Sequence, residues 1–203
     1  MLTGQQTYLD LGCAFGQDIR LLVADGVASE QCYGSDLRLD FLELGYDLFC
    51  DRETLKTKFI EGDVFNADSE LRDLEGEVDI IDASSFFHLF SWDQQKLVAR
   101  RVVKLLRPRR DSLLVGRQVG STLPGEYVRR DGNGTRYRHN IESWRRMWTE
   151  VGEETGVQVK VDGRMSEMPD AIKTALGGSK EDWRPEDERG MRMEFSVRRV
   201  SGL

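Results

Sequence analysis

Apolar and polar positions alternate along the chain in two rhythms. Short apolar runs bounded by glycine or charge read as buried strands, and apolar residues recurring at i, i+3 and i+4 read as helices. The first run is at 7–11, a turn covers Gly12–Gly16, and a helix from near Asp18 to Ala24 turns Ile19, Leu22 and Val23 inward before Asp25-Gly26 stops it. A second strand at 31–34 leads to a helix over 39–52 with Leu42, Tyr46, Leu48 and Phe49 largely buried. Lys58–Glu61 is a third strand, 68–74 a short helical segment and 78–83 a fourth strand. Ser91-Trp92-Asp93-Gln94 has the S-x-x-Q form of a capping box. It opens a helix to Leu106 with Leu97, Val98, Val102, Leu105 and Leu106 inward, and Arg107-Pro108 stops it.

A fifth strand is predicted at 112–119. Residues 120–138 show no period and carry Pro124, Gly125, Gly132 and Gly134, which predicts an irregular lid or binding loop. Asn140 can cap a helix from Ile141 to about Glu154 with Ile141, Trp144, Trp148 and Val151 on one face, ended by Gly156. A sixth strand is expected at 157–161, then a polar stretch with a short helix at 169–176 and a mobile acidic-basic segment after Gly177. In 191–200, Met191, Met193, Phe195 and Val197 alternate with Arg192, Glu194, Ser196 and Arg198, the mark of a half-buried antiparallel strand. This order predicts one α/β domain: a Rossmann-like, seven-stranded, mostly parallel sheet with an antiparallel last strand.

The length of 203 residues suits one domain with a sizeable core. A net charge of −7 argues against binding a phosphate backbone, so no nucleic-acid partner is expected. Arg100, Arg101, Arg107, Arg109 and Arg110 read as a solvated helix face and turn. No apolar run is long enough to span a bilayer, and no membrane partner is expected. Cys13, Cys32 and Cys50 are odd in number and widely spaced, which suggests neither a zinc site nor a disulfide framework but a reducing, cytoplasmic compartment. No metal-ligand set is identified.

Candidate chemistry begins at Asp10-x-Gly12-x-Ala14-x-Gly16, on the strand–turn–helix. Glycines in such a turn let backbone N–H groups approach a ligand closely. The spacing is not that of the dinucleotide fingerprint, because an acidic residue stands two places before the first glycine. Ala14 preserves the turn if its φ stays negative. Asp36 stands 20 residues after Gly16, where a doubly wound sheet places a carboxylate on ribose hydroxyls; the alternative is a cap for the next helix. Ser84–Phe90 follows the fourth strand at the ligand-binding edge of such a sheet. His88 is its chemical candidate, with packing among aromatics as the alternative.

Taken together, LDLGCAFGQDIR, YGSDLR, GDVF, ASSFFHLFSWDQQ, LLRP, GRQVG and RHNIESW resemble the class I S-adenosylmethionine-dependent methyltransferases. The resemblance is closest to the fungal methyltransferases of meroterpenoid and related secondary-metabolite pathways, and it runs from Tyr8 to about Gly156. Ala14 departs from that family's usual D/E-x-G-x-G-x-G. The resemblance implies S-adenosyl-L-methionine as cofactor and S-adenosyl-L-homocysteine as product. It places Asp10, Gly12, Cys13, Ala14, Gly16, Asp36, Leu37, Asp63, Val64, Phe65 and Ser84 at the cofactor. Asp63 would accept from the adenine amino group and the next backbone N–H would meet a ring nitrogen, a turn aspartate being the alternative.

The expected reaction is O-methylation of a small-molecule secondary metabolite at a carboxylate or hydroxyl. A carboxylate acceptor needs no base, and Arg117 or Gln118, with Arg138 as a second candidate, would orient it. Strand alternation keeps Arg117 and Gln118 from facing the same side. A phenol or alcohol would need His88 or His139 as base. One alternative is a protein that binds the cofactor without methyl transfer, as a cyclase, isomerase or non-catalytic partner. Another is a nicotinamide dehydrogenase, disfavoured by the missing third fingerprint glycine and the missing Tyr-x-x-x-Lys pair. Only about six residues precede the first strand, where the family usually carries a helical cover. An open cleft is therefore expected, with a homodimer burying the exposed apolar surface.

Overall fold

The computed structural model describes residues 4–129, 131–169 and 190–200. Its first half alternates strand and helix: β1 (Tyr8–Leu11), α1 (Gln17–Ala24), β2 (Cys32–Asp36), α2 (Leu39–Phe49), β3 (Lys58–Glu61), β4 (Ile80–Asp82) and α3 (Trp92–Leu105). Then come β5 (Leu113–Ser121), β6 (Gly125–Val128), β7 (Thr135–Arg138), α4 (Ile141–Thr155), β8 (Val159–Glu167) and β9 (Gly190–Arg199). Seven strands form one sheet in the order β3-β2-β1-β4-β5-β9-β8. The first five are parallel to their neighbours, and β9 is antiparallel to both β5 and β8. The expected fold class is the one observed.

Both faces of the central strands are covered, so these strands are apolar without alternation. Leu9, Leu11, Ile81, Ala83 and Leu114 are almost fully buried. Much of the core is aromatic: Trp144 lies 5.0 Å from Phe87 and 4.6 Å from Phe195, ring centre to ring centre, and Trp148 packs behind it. Each buried tryptophan contributes on the order of 5 kcal/mol of hydrophobic stabilisation before ordering costs. A smaller apolar cluster of Tyr8, Cys13, Ile19, Cys32 and Leu42 seats α1 and α2. The amino end of β4 is pinned by Asp79, which accepts from the Thr7 N–H at 3.0 Å and meets Arg107 and Arg109 at 3.1 and 2.8 Å.

Ser91 and Gln94 form the expected capping box, and Asn140, expected as a cap, forms a capping box with Ser143 as well. Other expectations need correction. Residues 120–138 are not irregular: β5 continues to Ser121, and β6 and β7 pair as an antiparallel hairpin. Its strands are short and polar, so they carry little hydrophobic period. α2 stops at Phe49, because Cys50 turns left-handed at φ 52°. Leu48, Phe49 and Leu97 are exposed at 65, 41 and 47%. Leu48 and Leu97 lie off the buried stripes marked by Leu42–Gly45 and Val98–Val102, and Phe49 lies under the Arg20 guanidinium. The strand expected at 157–161 runs instead from Val159 to Glu167. The helix expected at 169–176 and the segment after Gly177 fall almost wholly outside the described residues.

Gly45 shows why α2 sits where it does. A Cβ there would lie 2.4 Å from the backbone oxygen of Phe15 in the turn after β1. Helix propensity alone favours alanine at this position by about 1 kcal/mol. The clash is with backbone, and overpacking of this kind costs about 1–3 kcal/mol. We expect Gly45→Ala to lower stability in urea unfolding; a gain would show that α2 can move away from the turn freely.

Candidate active site at the carboxyl edge of the sheet

Strand order reverses between β1 and β4, and an open α/β sheet binds ligands in the crevice at such a point. The turn after β1 forms its floor. Gly12 and Gly16 are left-handed, at φ 82° and 68°. The Gly12 and Cys13 N–H groups donate to the Ser35 carbonyl at 2.8 and 3.0 Å, and the Gly16 N–H closes the turn on the Cys13 carbonyl at 2.8 Å. Ala14 is left-handed as well, at φ 48°, against the expectation of a negative angle. That conformation costs an L-residue about 1–2 kcal/mol. It is held by the Ala14 N–H donating to Asp36 Oδ2 at 2.9 Å.

Arg20 was not singled out from the sequence. It donates to the Phe15 carbonyl at 2.6 Å and forks onto both Asp51 oxygens at 2.6 and 2.9 Å. Its signal was an arginine one helical turn into α1, but its partner lies 31 residues away. Phe86 was also missed. Its ring lies over Gly12, where a Cβ would meet it at 2.5 Å.

Around this floor stand the side chains at the strand ends. Asp36 also accepts from the Arg38 N–H at 3.0 Å, and Arg38 rather than Asp36 is the N-cap of α2. Asp63 accepts from the Phe65 N–H at 2.9 Å, a local turn that leaves its second oxygen outside that bond. Leu37 and Phe65, after the adjacent strands β2 and β3, are 65 and 40% exposed. Val64 is buried in the core, so only its backbone faces the edge. Asp82 accepts from the Ser84 N–H at 2.7 Å. Cys13 faces inward, and burial pushes its thiol far up, so it packs and does not react.

The edge is electrostatically one-sided. Asp10 is 5% exposed, and burial drives its carboxyl well above the usual range, with Asp82, Asp18 and Asp36 pushing it further. Burial also raises Asp82. Arg117 opposes both shifts. A crevice lined this way stabilises a ligand that brings positive charge, and the exposed apolar side chains of Leu37 and Phe65 beside Asp36 and Asp63 suit a flat heterocycle on a diol. S-adenosylmethionine carries a sulfonium, an ammonium, a ribose and an adenine, and the residues present fit it.

The two histidines are not part of that ring. His88 lies on a 3-10 turn, Phe87–Leu89, with its Nδ1 buried and unpartnered among the described residues. Burial, aided by Arg136 and Arg138, lowers its pKa to about 4. His139 is fully buried among Trp92, Tyr137 and Trp144. Gln95 donates its amide hydrogens to the Phe90 and Tyr137 carbonyls, both at 2.9 Å. Its Oε1 must therefore accept from His139 Nε2 at 3.1 Å, and His139 Nδ1 meets Ser143 Oγ at 2.9 Å. Burial lowers the His139 pKa to about 3. Both ring nitrogens are engaged inside the protein. On β5, Gln118 is buried against Met193 while Arg117 is half-exposed, as alternation requires.

Fold and edge together define the Rossmann-like class of S-adenosylmethionine-dependent methyltransferases. Residues 9–109 match the family pattern described as a methyltransferase domain. The chain is 47% identical over 206 residues to O-methyltransferase phiE of a fungal species, covering 98% of this chain and 68% of that protein. It is 48% identical over 179 residues to methyltransferase adrK of Penicillium rubens, covering 84% of this chain and 62% of that protein. The chain belongs to this methyltransferase family. Among solved structures it is similar to a Burkholderia thailandensis 1,6-didemethyltoxoflavin N1-methyltransferase bound to S-adenosylhomocysteine. That likeness has a TM-score of 0.63 at 15% identity, over 96% of this chain and 71% of the other.

Two measurements check this geometry. Ala14→Gly relieves the left-handed alanine and should raise stability by about 1 kcal/mol in urea unfolding; an unchanged midpoint means the turn is unstrained. His139 has a folded pKa below its ordinary 6.5, so its stabilising contribution is full above pH 6.5 and is lost as pH falls toward 3. The slope over that range is about 1.4 kcal/mol per pH unit. His139→Gln should show a flatter decline below pH 6.5 than the wild type; parallel curves would mean that His139 titrates normally.

Proposed function

We propose that the protein transfers a methyl group from S-adenosylmethionine to an oxygen of a small organic acid of secondary metabolism, forming a methyl ester. The cofactor supplies the electrophilic methyl group when bound. Asp36 would take the ribose hydroxyls and Asp63 the adenine amino group. Leu37 and Phe65 pack on the heterocycle, and Asp10 and Asp82 supply negative potential near its cationic end.

The acceptor would enter under the β6–β7 hairpin. Tyr137 N–H donates to the Phe90 carbonyl at 2.8 Å and Arg129 donates to the Leu89 carbonyl at 2.9 Å, so this wall is tied to the segment after β4. One observation carries the choice of acceptor: His139 has both ring nitrogens engaged and His88 Nδ1 is buried, so neither histidine is a useful base. With pKa values lowered to about 4 and about 3, both are neutral at pH 7 but attract protons weakly. An acceptor already ionised avoids the need for one. Arg138, buried and 5.0 Å from the Tyr127 ring centre, gives that wall positive charge. We take His139 as a structural residue and His88 as a wall of the acceptor site. The proposal extends to a meroterpenoid pathway, a cytoplasmic location and a homodimer, the last supported by the exposed Leu39, Leu44 and Leu48 of α2 and testable by light scattering.

Incubation with methyl-labelled cofactor and paired acids and phenols tests the reaction. We expect label in base-labile esters and a turnover rate flat from about pH 5.5 to 8, since no histidine titrates there. Label in phenol ethers, with a rate rising through a pKa near 7, would replace the carboxylate by a base-assisted hydroxyl.

A further inference from the structure

We propose that the Arg117 guanidinium seats the α-carboxylate of the cofactor's amino-acid tail and does not orient the methyl acceptor. The inference rests on the cofactor reading above. Arg117 leaves β5, which is separated from β1 by β4. Its Nη2 nevertheless comes within 3.8 Å of Asp18 Oδ2, in the first turn of α1. To reach that point the side chain crosses the end of β4, over the crevice where Asp82 and Asp10 stand in register. Its positive charge is felt by both carboxyls.

The contact with Asp18 is too long for a hydrogen bond and half-exposed, and such pairs hold a side chain weakly. Among the described residues the guanidinium makes no side-chain hydrogen bond, so its donors are available for a ligand. The tail of the cofactor joins an ammonium to a carboxylate on one carbon. Asp10, Asp18 and Asp82 suit the ammonium and repel the carboxylate, which a nearby cation would offset. Arg20, the other arginine beside the turn, is held by both Asp51 oxygens and the Phe15 carbonyl, with its side chain 8% exposed. Arg117 is left, and its planar fork matches a carboxylate edge on. The hairpin arginines Arg136 and Arg138 come from β7 and face His88, a different wall.

The test uses two ligands that differ only in this carboxylate: S-adenosylmethionine and its decarboxylated form, which keeps the sulfonium and the ammonium. Calorimetric titration of the wild-type chain should favour the intact cofactor by about ten- to a hundredfold. In Arg117→Gln the intact cofactor should weaken by that factor while the decarboxylated form binds at least as tightly as before, because a cation has left the acidic crevice. Arg117→Lys, which keeps the charge but loses the fork, should fall between them and guards against a folding defect in the first variant. Equal weakening of both ligands in Arg117→Gln would assign Arg117 a structural role and overturn the proposal. Unchanged cofactor affinity with a raised KM for the acceptor would return Arg117 to the acceptor. Failure of both ligands to bind the wild-type chain would remove the cofactor reading itself.

Discussion

Two carboxyl groups, Asp10 and Asp82, stand in register on adjacent buried strands, and much of the site is arranged around that conflict. Water is excluded by the layers that cover the sheet, so neither group can ionise cheaply. A protein core normally avoids such a pair. Here it lies where the two strands end and their connections diverge to opposite sides, which leaves the pair facing an open crevice. Burial raises the proton affinity of both carboxyls, and the Arg117 charge opposes that shift. The Asp18–Arg117 contact is a partial relief, long enough to be replaced.

The edge can hold such a conflict because the rest of the domain is over-determined. Asp79 and its two arginines fix the amino end of β4, and the tryptophan–phenylalanine cluster fixes the layer beneath it. Strain then collects where the structure leaves room for it: Ala14 and Ser85, two of the non-glycine residues with positive φ, both border the crevice. Ser85 N–H donates to the Arg117 carbonyl at 2.6 Å, which couples the segment after β4 to the strand carrying that arginine.

The sheet and its helices were legible because their signals are local. Apolar runs such as VDII, the capping box at Ser91 and the cap at Asn140 depend on near neighbours. What escaped the sequence depends on distant ones. The left-handed Ala14 is explained by a carboxylate 22 residues away. His139 reads as a candidate base until Gln95, 44 residues earlier, is found on its ring. The hairpin was missed because its strands are held by pairing and by Phe90 and Leu89 rather than by an apolar face. Arg117 stood out as a charge on a strand end, but its approach to Asp18 in α1 is not a local signal.

The hairpin is attached to the domain through a compact set of bonds: Gln95 to the Tyr137 carbonyl, Tyr137 to Phe90, Arg129 to Leu89 and Glu126 to the Trp92 N–H. These attachments run through backbone groups or through residues of α3 and its cap, and none involves the turn after β1. Glu126 and Arg129 supply the hairpin side chains of this set, so a change at either would loosen the hairpin without touching the turn after β1. The hairpin can therefore tilt about α3 and its cap while the turn after β1 keeps its own bonds to Ser35 and Asp36.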